Sequence, residues 1–286
     1  MKTDAFTTIV SATELRAHLS DPGWVVFDCR FSLADTGLGA RQYREGHVPG
    51  ARYAHLDRDL SGPVGPGDGR HPLPDPDRFA RWLAGQGVGR DTQVVVYDDS
   101  KCAIAGRLWW MLRWLGHERA ALLDGGYARW IELGLPVTTE PTVPQARAFP
   151  AAPSRRLWCS SDEVARNVTA AHIVLIDARG EKRFRGEEET VDRVAGHIPG
   201  AVNLPWEGNL GAQGGFLPAA ELRARFLKVM GGREAGEVVH TCGSGVTACH
   251  NLLAMEIAGL TGSLLYPGSW SEWITDPARP VEKGEG

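Results

Sequence analysis

Short apolar runs alternate with amphipathic segments along the first half of the chain. Residues 24–28, 92–97 and 120–123 are rich in β-branched and aliphatic residues, and their lengths predict strands. Residues 77–86 and 106–115 space their apolar positions as helices do. Strands that alternate with helices favour parallel pairing with both faces of the sheet covered. We therefore predict the α/β class, with a central parallel β-sheet flanked by helices.

The second half of the chain repeats the first. The sequence His-Val-Pro-Gly-Ala at residues 47–51 recurs as His-Ile-Pro-Gly-Ala at residues 197–201, 150 positions later. Residues 26–30 likewise match residues 175–179. A repeat of this length predicts two tandem domains of one fold. The predicted divisions are a first domain at 1–140, a proline-containing linker at 141–156 and a second domain at 157–286.

A cysteine opens a glycine-rich loop in the second half. Cys242 follows the apolar run 238–239, and residues 243–247 read Gly-Ser-Gly-Val-Thr before a helix-like stretch at 248–258. Such a loop can turn successive N–H groups toward one centre, and the positive end of the helix dipole adds to them. We expect Cys242 to ionise readily there and to act as a nucleophile, whereas a cysteine in an apolar core is inert.

Comparison of the two halves separates candidate catalytic residues from structural ones. Alignment of the apolar runs sets Asp99 opposite Cys242, so we expect thiol chemistry in the second copy alone. Residues that occur in both copies favour structural roles. These are the histidines at positions 47 and 197 and the aspartates at positions 28 and 177.

Composition and charge narrow the classes of partner. The 286 residues carry a formal net charge of -4, which leaves no basic excess to hold nucleic acid or an anionic membrane surface. No apolar stretch is long enough to span a bilayer, and residues 1–6 lack a signal core, which favours a cytoplasmic protein. The 5 cysteines are scattered and never spaced Cys-x-x-Cys, so neither a disulfide framework nor a zinc site is expected. Cys249, on the helix after the loop, is expected to pack rather than to act as a redox partner.

Two thiol chemistries fit a cysteine loop between a strand and a helix. Thiol phosphatases read C-x-x-x-x-x-R, because the arginine must neutralise the phosphate dianion. Ala248 occupies that position here, which leaves phosphoryl chemistry as a remote alternative. A persulfide carries a single negative charge that backbone N–H groups and a helix N-terminus can stabilise. The loop therefore favours sulfur transfer.

Several motifs together resemble the rhodanese superfamily, specifically its tandem-domain thiosulfate and 3-mercaptopyruvate sulfurtransferases. They are the two H-[IV]-P-G-A motifs, the stretch Leu-Asp-Gly-Gly at 123–126 and the loop at 242–250. The similarity runs along nearly the whole chain. It implies a parallel sheet flanked by helices in each copy, a non-catalytic first domain and an active site between the domains. No metal and no organic cofactor is implied.

The loop also bears on the sulfur donor. Family members that prefer thiosulfate usually read C-R-K-G-V-T, and those that prefer 3-mercaptopyruvate read C-G-S-G-V-T, as this chain does. A neutral loop stabilises the second negative charge of a dianionic donor only weakly. The Ser244 hydroxyl can help protonate the departing enolate of 3-mercaptopyruvate. We therefore expect 3-mercaptopyruvate as donor. Thiosulfate:cyanide sulfur transfer by the same cysteine is the alternative, and a non-catalytic sulfur-carrier or interaction module is the alternative of another class.

The resemblance further implies roles for single residues. Ser244, His71 and Asp57 match a proton relay, which exists only if the two domains face each other, and Arg183 matches an arginine that holds the substrate carboxylate. Relatives usually carry a second arginine further along, and Arg193 is the candidate to replace it in a shorter acidic segment. The candidate set is Cys242, Ser244, His71 and Asp57 for catalysis, and Arg183, Arg193, Gly243, Gly245, Val246, Thr247 and the pocket-walling Trp270 for substrate binding.

The expected reaction runs in two halves. Cys242 takes the sulfur from the donor, pyruvate leaves as its enolate, and the loop holds the resulting persulfide. A thiol or cyanide then accepts the sulfur, and a thioredoxin-like reductant is a candidate partner for that step.

Overall fold

The computed structural model describes residues 5–285. Residues 1–4 belong to the stretch that was expected to lack a signal core, and they lie outside the described residues. The chain divides into two compact units. The first unit comprises the chain up to Gly62 with Pro74–Ser154 and Gln213–Gly215, and the second comprises Pro63–Leu73, Arg155–Ala212 and the chain from Phe216. The segment that carries His71 thus groups with the second unit, although residues 1–140 were predicted as one domain.

A five-stranded parallel sheet forms the centre of the first unit, in the order β1-β5-β4-β2-β3. Its elements are β1 (Ile9–Val10), α1 (Ala12–Ala17), β2 (Trp24–Asp28), α2 (Leu38–Glu45), β3 (Ala51–Tyr53), α3 (Pro76–Gly85), β4 (Gln93–Tyr97), α4 (Ala105–Trp114), β5 (Ala120–Leu123) and α5 (Gly126–Glu132). The three strands and two helices predicted from the apolar pattern are all present, each to within one residue at either end.

A four-stranded parallel sheet forms the centre of the second unit, in the order β7-β6-β8-β9. Its elements are α6 (Ser161–Ala170), β6 (Val174–Asp177), α7 (Glu181–Arg185), β7 (Val202–Asn203), α8 (Ala219–Met230), β8 (Val238–Thr241), α9 (Ala248–Ile257), β9 (Leu264–Leu265) and α10 (Ser269–Trp273). Three 3₁₀ turns lie at Arg155–Leu157, Trp206–Asn209 and Ala235–Glu237.

The central strands are buried on both faces. Every residue of β4 is buried, and so is every residue of β8. Side chains of neighbouring positions in a strand point to opposite faces, so continuous burial requires helices on both sides of the sheet. The α/β class predicted from the sequence is confirmed.

The strand register fixes which residues of the two copies correspond. Asp28 pairs with Tyr97 in the first sheet, and Asp177 pairs with Thr241 in the second. The residue after β4 is Asp98 and the residue after β8 is Cys242, so Asp98 is the counterpart of the cysteine. The assignment of Asp99 to that place was wrong by one position, because it matched Tyr97 with His240, whereas the register matches Tyr97 with Thr241.

The duplicated aspartates hold the same structure in both copies. Asp28 pairs with Arg30 at 2.6 Å, and Asp177 pairs with Arg179 at 2.7 Å. In each copy the same guanidinium nitrogen also donates to a backbone carbonyl. Both ion pairs are almost fully buried, where the remaining hydrogen bonds offset the cost of removing charge from water. The expected structural role agrees with this geometry.

The duplicated histidines are also structural. His47 and His197 are both fully buried. Their Nδ1 atoms lie 2.7 and 2.8 Å from the backbone carbonyl oxygens of Tyr43 and Phe184. The backbone of each histidine also pairs with a segment that follows its own unit's last helix, at Thr138 and Glu282 respectively. Each histidine therefore ties down the end of its own copy.

The predicted linker is extended. No helix or strand occurs between α5 and the turn at Arg155–Leu157 in the described chain, apart from the bridge at Thr138. Backbone hydrogen bonds run from Arg147 to Ala84 and from Ala152 to Leu115, so the segment lies along the first unit. Among residues 5–285, no helix has the length and apolar character that crossing a membrane requires.

Candidate active site

The candidate nucleophile stands where β8 ends. Cys242 follows the strand directly, residues 243–247 form the loop, and α9 begins at Ala248. The N–H of Cys242 donates to Ser269 Oγ at 3.1 Å, and its carbonyl accepts the N–H of Trp270 at 3.0 Å. The start of α10 therefore holds the cysteine backbone from behind. A parallel sheet collects ligands at this edge, which suits a reacting group.

Gly245 is the turning point of the loop. Its φ of +73° lies in the left-handed region that residues with a Cβ rarely adopt. A Cβ added there would meet the carbonyl oxygen of Pro267 at 2.1 Å, far inside van der Waals contact. Conformation and space both require glycine, so the loop path depends on this position.

The loop presents backbone donors that the protein itself leaves unused. Within residues 5–285, the N–H groups of Ser244, Val246 and Thr247 have no hydrogen-bond acceptor. Thr247 is also the residue that precedes the first turn of α9, where the helix dipole is positive. A negatively charged atom is the partner that such groups lack.

The first copy shows the same kind of loop with an anion already in it. The carboxylate of Asp98 accepts the N–H groups of Ser100, Cys102, Ile104 and Ala105, each at 2.8 Å. Burial raises the pKa of Asp98, and these N–H groups act in the opposite direction. Because Asp98 is the counterpart of Cys242, the second loop is suited to receive an anion on sulfur at the matching place.

Burial alone does not separate Cys242 from the other cysteines, since Cys242 is only 1% exposed. Desolvation raises the pKa of Cys29 and Cys102 well above the usual thiol value and that of Cys159 to about 12. The surroundings of Cys242 differ, because the buried guanidinium of Arg179 interacts with it. Burial opposes the charge of Arg179, yet Asp177 and other negative groups, Cys242 among them, raise its pKa. Cys242 therefore lies near the guanidinium of Arg179, which forms an ion pair with Asp177, rather than in a wholly apolar environment.

Two guanidinium groups flank the residue after the cysteine. A Cβ built on Gly243 would lie 3.3 Å from Arg70 Nη2 and 3.7 Å from Arg183 Nη2. The Asp192 carboxylate joins the two arginines, at 2.7 Å to Arg70 Nη1 and 3.0 Å to Arg183 Nη2. Arg183 thus lies where the resemblance predicted a carboxylate-binding arginine, and Arg70 lies beside it.

The acidic segment before Asp192 organises these cations. Glu189 accepts the N–H groups of Val191 and Asp192 at 2.8 and 2.9 Å and contacts the Arg183 guanidinium. Burial opposes ionisation of Glu189, but these N–H groups and Arg183 lower its pKa. The segment is therefore a structured turn held by the Glu189 carboxylate.

Arg193 does not join the pair. Its guanidinium donates to the backbone carbonyl of Ile274, just after α10. This bond directs one Arg193 donor to the backbone, and the role of Arg193 as the second carboxylate-binding arginine stays a prediction. Arg70 is the arginine that lies with Arg183 beside Gly243.

Trp270 supports the site from behind. It is 1% exposed, and its indole N–H donates to the carbonyl of Val194 at 2.9 Å. The guanidinium carbon of Arg179 lies 4.9 Å from the ring centroid. The expected pocket wall is therefore a buried support for the loop and for Arg179, with no exposed ring face.

The structure brings two members of the predicted relay together. His71 Nδ1 lies 2.8 Å from Ser244 Oγ, and both residues belong to the second unit. His71 is 3% and Ser244 6% exposed, so the pair is protected from bulk water. Asp57 belongs to the first unit, where its backbone N–H donates to His55 Nδ1 at 3.1 Å. Its place in the relay stays a prediction.

Sequence reasoning missed several residues that shape the site. Arg70 and Asp192 belong to segments far apart in sequence, and Ser269 carries the oxygen that holds the Cys242 N–H. One signal was available for Arg70, since it immediately precedes His71. In the part of the chain that the structure describes, no cluster of three or more His, Cys, Asp or Glu side chains is arranged to hold a metal ion.

Comparison with known proteins agrees with this geometry. The model of the rhodanese-like domain matches residues 11–133 and 160–276. A probable 3-mercaptopyruvate sulfurtransferase of Pseudomonas aeruginosa is 48% identical over 279 residues, which cover 97% of this chain and 98% of that protein. A putative thiosulfate sulfurtransferase, SseB of Mycobacterium tuberculosis, is 37% identical over 283 residues, with coverage of 96% and 97%.

A solved structure agrees as well. SseA from Escherichia coli, described as a 3-mercaptopyruvate sulfotransferase, superposes with a TM-score of 0.80 at 33% identity and covers 93% of this chain and 100% of that one. Two matched domains, relatives aligned along nearly the whole length and a shared architecture lead to one conclusion. The chain belongs to the rhodanese-like family and is a sulfurtransferase with two copies of the family's domain.

Proposed function

We propose that this sulfurtransferase uses 3-mercaptopyruvate as its donor and carries the sulfur as a persulfide on Cys242. The catalytic domain is residues 157–286, and residues 1–140 form a non-catalytic copy in which Asp98 stands in place of the cysteine. The proposal is supported by the neutral loop at 243–247 and by the 48% identical relative named for this donor.

The first half-reaction moves one sulfur atom. The Cys242 thiolate attacks the donor sulfur, an S–S bond forms and the C–S bond of the donor breaks. The electron pair of that bond goes to pyruvate as its enolate, whose carbon takes a proton in place of the one the donor thiol gives up. Thiolate and monoanionic donor thus yield a persulfide anion and pyruvate, so charge and atoms balance.

The observation that carries the choice of donor is the 2.8 Å contact between His71 and Ser244. An enolate leaving group needs a proton at the moment it departs, and a buried hydroxyl hydrogen-bonded to an imidazole can deliver one. Thiosulfate would release sulfite, which needs no such proton. We assign proton delivery to Ser244 and His71, with Asp57 as the third member.

The remaining predicted residues have binding roles. Arg183 holds the donor carboxylate, and the N–H groups of the loop stabilise the persulfide, with Gly243 and Gly245 allowing the close approach. The N–H groups of Val246 and Thr247, which have no acceptor among the described residues, support this assignment.

The second half-reaction needs a nucleophilic acceptor. A small thiol attacks the outer sulfur to form its own persulfide, or cyanide attacks it to form thiocyanate, and the Cys242 thiolate returns. A thioredoxin-like reductant is our candidate for the protein acceptor. We place the enzyme in the cytoplasm, because a reducing compartment keeps Cys242 available as a thiol.

The test is a donor comparison read on the cysteine itself. We expect 3-mercaptopyruvate to add the mass of one sulfur atom to the peptide that contains Cys242, and its kcat/KM to exceed that of thiosulfate. Cys242→Ser should abolish both, whereas Cys159→Ala, which removes a buried and inert thiol, should abolish neither. Absence of the adduct, or a preference for thiosulfate, contradicts the proposal. A persulfide that passes only to a protein partner would favour a carrier.

A further inference from the structure

Charged side chains form a continuous alternating row beside the nucleophile. In spatial order the row is Asp177, Arg179, Glu189, Arg183, Asp192 and Arg70, with neighbours joined at 2.7, 3.7, 3.1, 3.0 and 2.7 Å. Three cations face three anions, so the row is neutral before a substrate enters. The donor preference was predicted from the uncharged loop at residues 243–247 alone, without this row of charges.

Asp192 lies between the two arginines that flank the cysteine loop. One carboxylate oxygen contacts Arg70 and the other contacts Arg183, and these are the two guanidinium groups beside Gly243. The Asp192 side chain is 4% exposed, whereas those of Arg70 and Arg183 are 26% and 29% exposed. The carboxylate is therefore shielded from water and the cations face outward. A donor approaching the loop meets two guanidinium groups whose charge is already partly neutralised.

We propose that Asp192 is a specificity-determining residue, which sets the charge of the donor site so that it accepts a donor with one negative charge and disfavours a dianion. This inference rests on the proposed function, because it concerns the donor of that same reaction. It assigns the choice of donor to a side chain outside the cysteine loop.

The physical basis is the number of charges that meet at one place. The attacking sulfur is an anion, so each negative charge on the donor must be matched by positive charge nearby. Because Asp192 and Glu189 already pair with the two arginines, the row has no net positive charge to match a second negative charge on the donor, which suits a carboxylate better than thiosulfate. At separations of about 4 Å, one unit charge at a partly buried site is large enough to change relative affinities by at least about tenfold.

The test is Asp192→Asn, which keeps the shape of the side chain and removes its charge. We expect the ratio of kcat/KM for thiosulfate to that for 3-mercaptopyruvate to rise by at least about tenfold. The thiosulfate rate should also depend more steeply on ionic strength. Glu188→Gln is the matched control, because it removes the same charge from the same segment at an exposed ion pair with Lys182. That control should leave the ratio unchanged.

A second variant removes a positive charge instead of a negative one, which distinguishes an effect of charge from a structural effect. Arg70→Gln removes a positive charge on the other side of Asp192, so the same ratio should fall. An unchanged ratio in Asp192→Asn, or an equal loss with both donors, would overturn the proposal. So would a change of the same sign in both variants.

A binding measurement separates this inference from the proposed function. Calorimetric binding of unreactive pyruvate and sulfate to the intact protein needs no turnover. Asp192→Asn should tighten sulfate relative to pyruvate by a similar factor. If the wild-type protein forms no persulfide, the proposed function fails, and the binding ratio still decides whether Asp192 sets the charge preference.

Discussion

Cys242 and Cys159 are both buried, yet their surroundings differ in kind. Cys159 lies in an apolar cluster with Val164 and Leu175, where desolvation raises its pKa to about 12. Cys242 lies near Arg179 and opens a loop in which several N–H groups have no acceptor among residues 5–285. At the scale of the residue, reactivity therefore follows from the charges and dipoles around a sulfur atom rather than from its exposure.

The Ser244 hydroxyl should matter for one donor and not for the other. In Ser244→Ala, we expect kcat with 3-mercaptopyruvate to fall by roughly a hundredfold, because the enolate loses its proton source. Turnover with thiosulfate should change little, since sulfite leaves without a proton. Steady-state kinetics with the two donors on one preparation check this, and the thiosulfate rate serves as the control for folding. Equal losses with both donors would place Ser244 in the structure of the loop instead.

At the scale of the element, β8 positions the cysteine and carries its own buried titratable group. His240 is fully buried, and desolvation lowers its pKa to about 3. Its Nε2 lies 3.1 Å from the sulfur of Met255 on α9. The strand that ends in the nucleophile therefore requires a neutral imidazole two positions before it.

This burial predicts an acid-sensitive stability. The unfolded chain binds a proton at His240 below about pH 6.5, while the folded chain does so only near pH 3, so the free energy of unfolding falls as the pH drops between these values. The loss amounts to about 1.4 kcal/mol per pH unit. In His240→Gln, urea denaturation from pH 7 to pH 5 should show a shallower pH slope. His172→Gln, at an exposed position, is the control and should keep the wild-type slope.

At the scale of the whole molecule, one loop design serves two purposes. The first copy fills its loop with Asp98, and the second opens its loop with Cys242. The ion pairs at the carboxyl ends of β2 and β6 are the same in both copies. The two copies share this framework and differ in the residue that opens the loop.

The first copy should therefore depend on its carboxylate for stability. Asp98→Asn turns an amide NH₂ toward backbone N–H donors, and we expect unfolding to become easier by about 2–3 kcal/mol. Asp99→Asn alters the neighbouring exposed carboxylate, which accepts hydrogen bonds from the Gln42 side chain and from the Ser100 hydroxyl, and should change stability little. Chemical denaturation of both variants checks the order. A larger effect at Asp99 would restore the alignment that the strand register rejects.

The sequence predicts local features of this molecule better than distant contacts. Apolar runs such as Gln93–Tyr97 were located to within one residue, because burial on both faces leaves a clear local pattern. The pairing of His71 with Ser244 was reached only through resemblance to a family. Arg70 and Asp192 lie far apart in sequence, and no periodicity records that their side chains meet at 2.7 Å. Asp99 was predicted in place of Asp98 because two apolar strands of unequal length can be aligned in more than one register.

The carboxylate inside the first loop has a consequence for how the two copies tolerate heat. The Asp98 carboxylate is part of the chain, so the melting of the first copy should not depend on the supply of sulfur. The second loop acquires its anion only when a single sulfur atom is ionised or loaded. Ligands that complete a folded site stabilise it by mass action. The melting temperature of the second copy should therefore differ between the enzyme with a free Cys242 thiol and the enzyme that carries the persulfide.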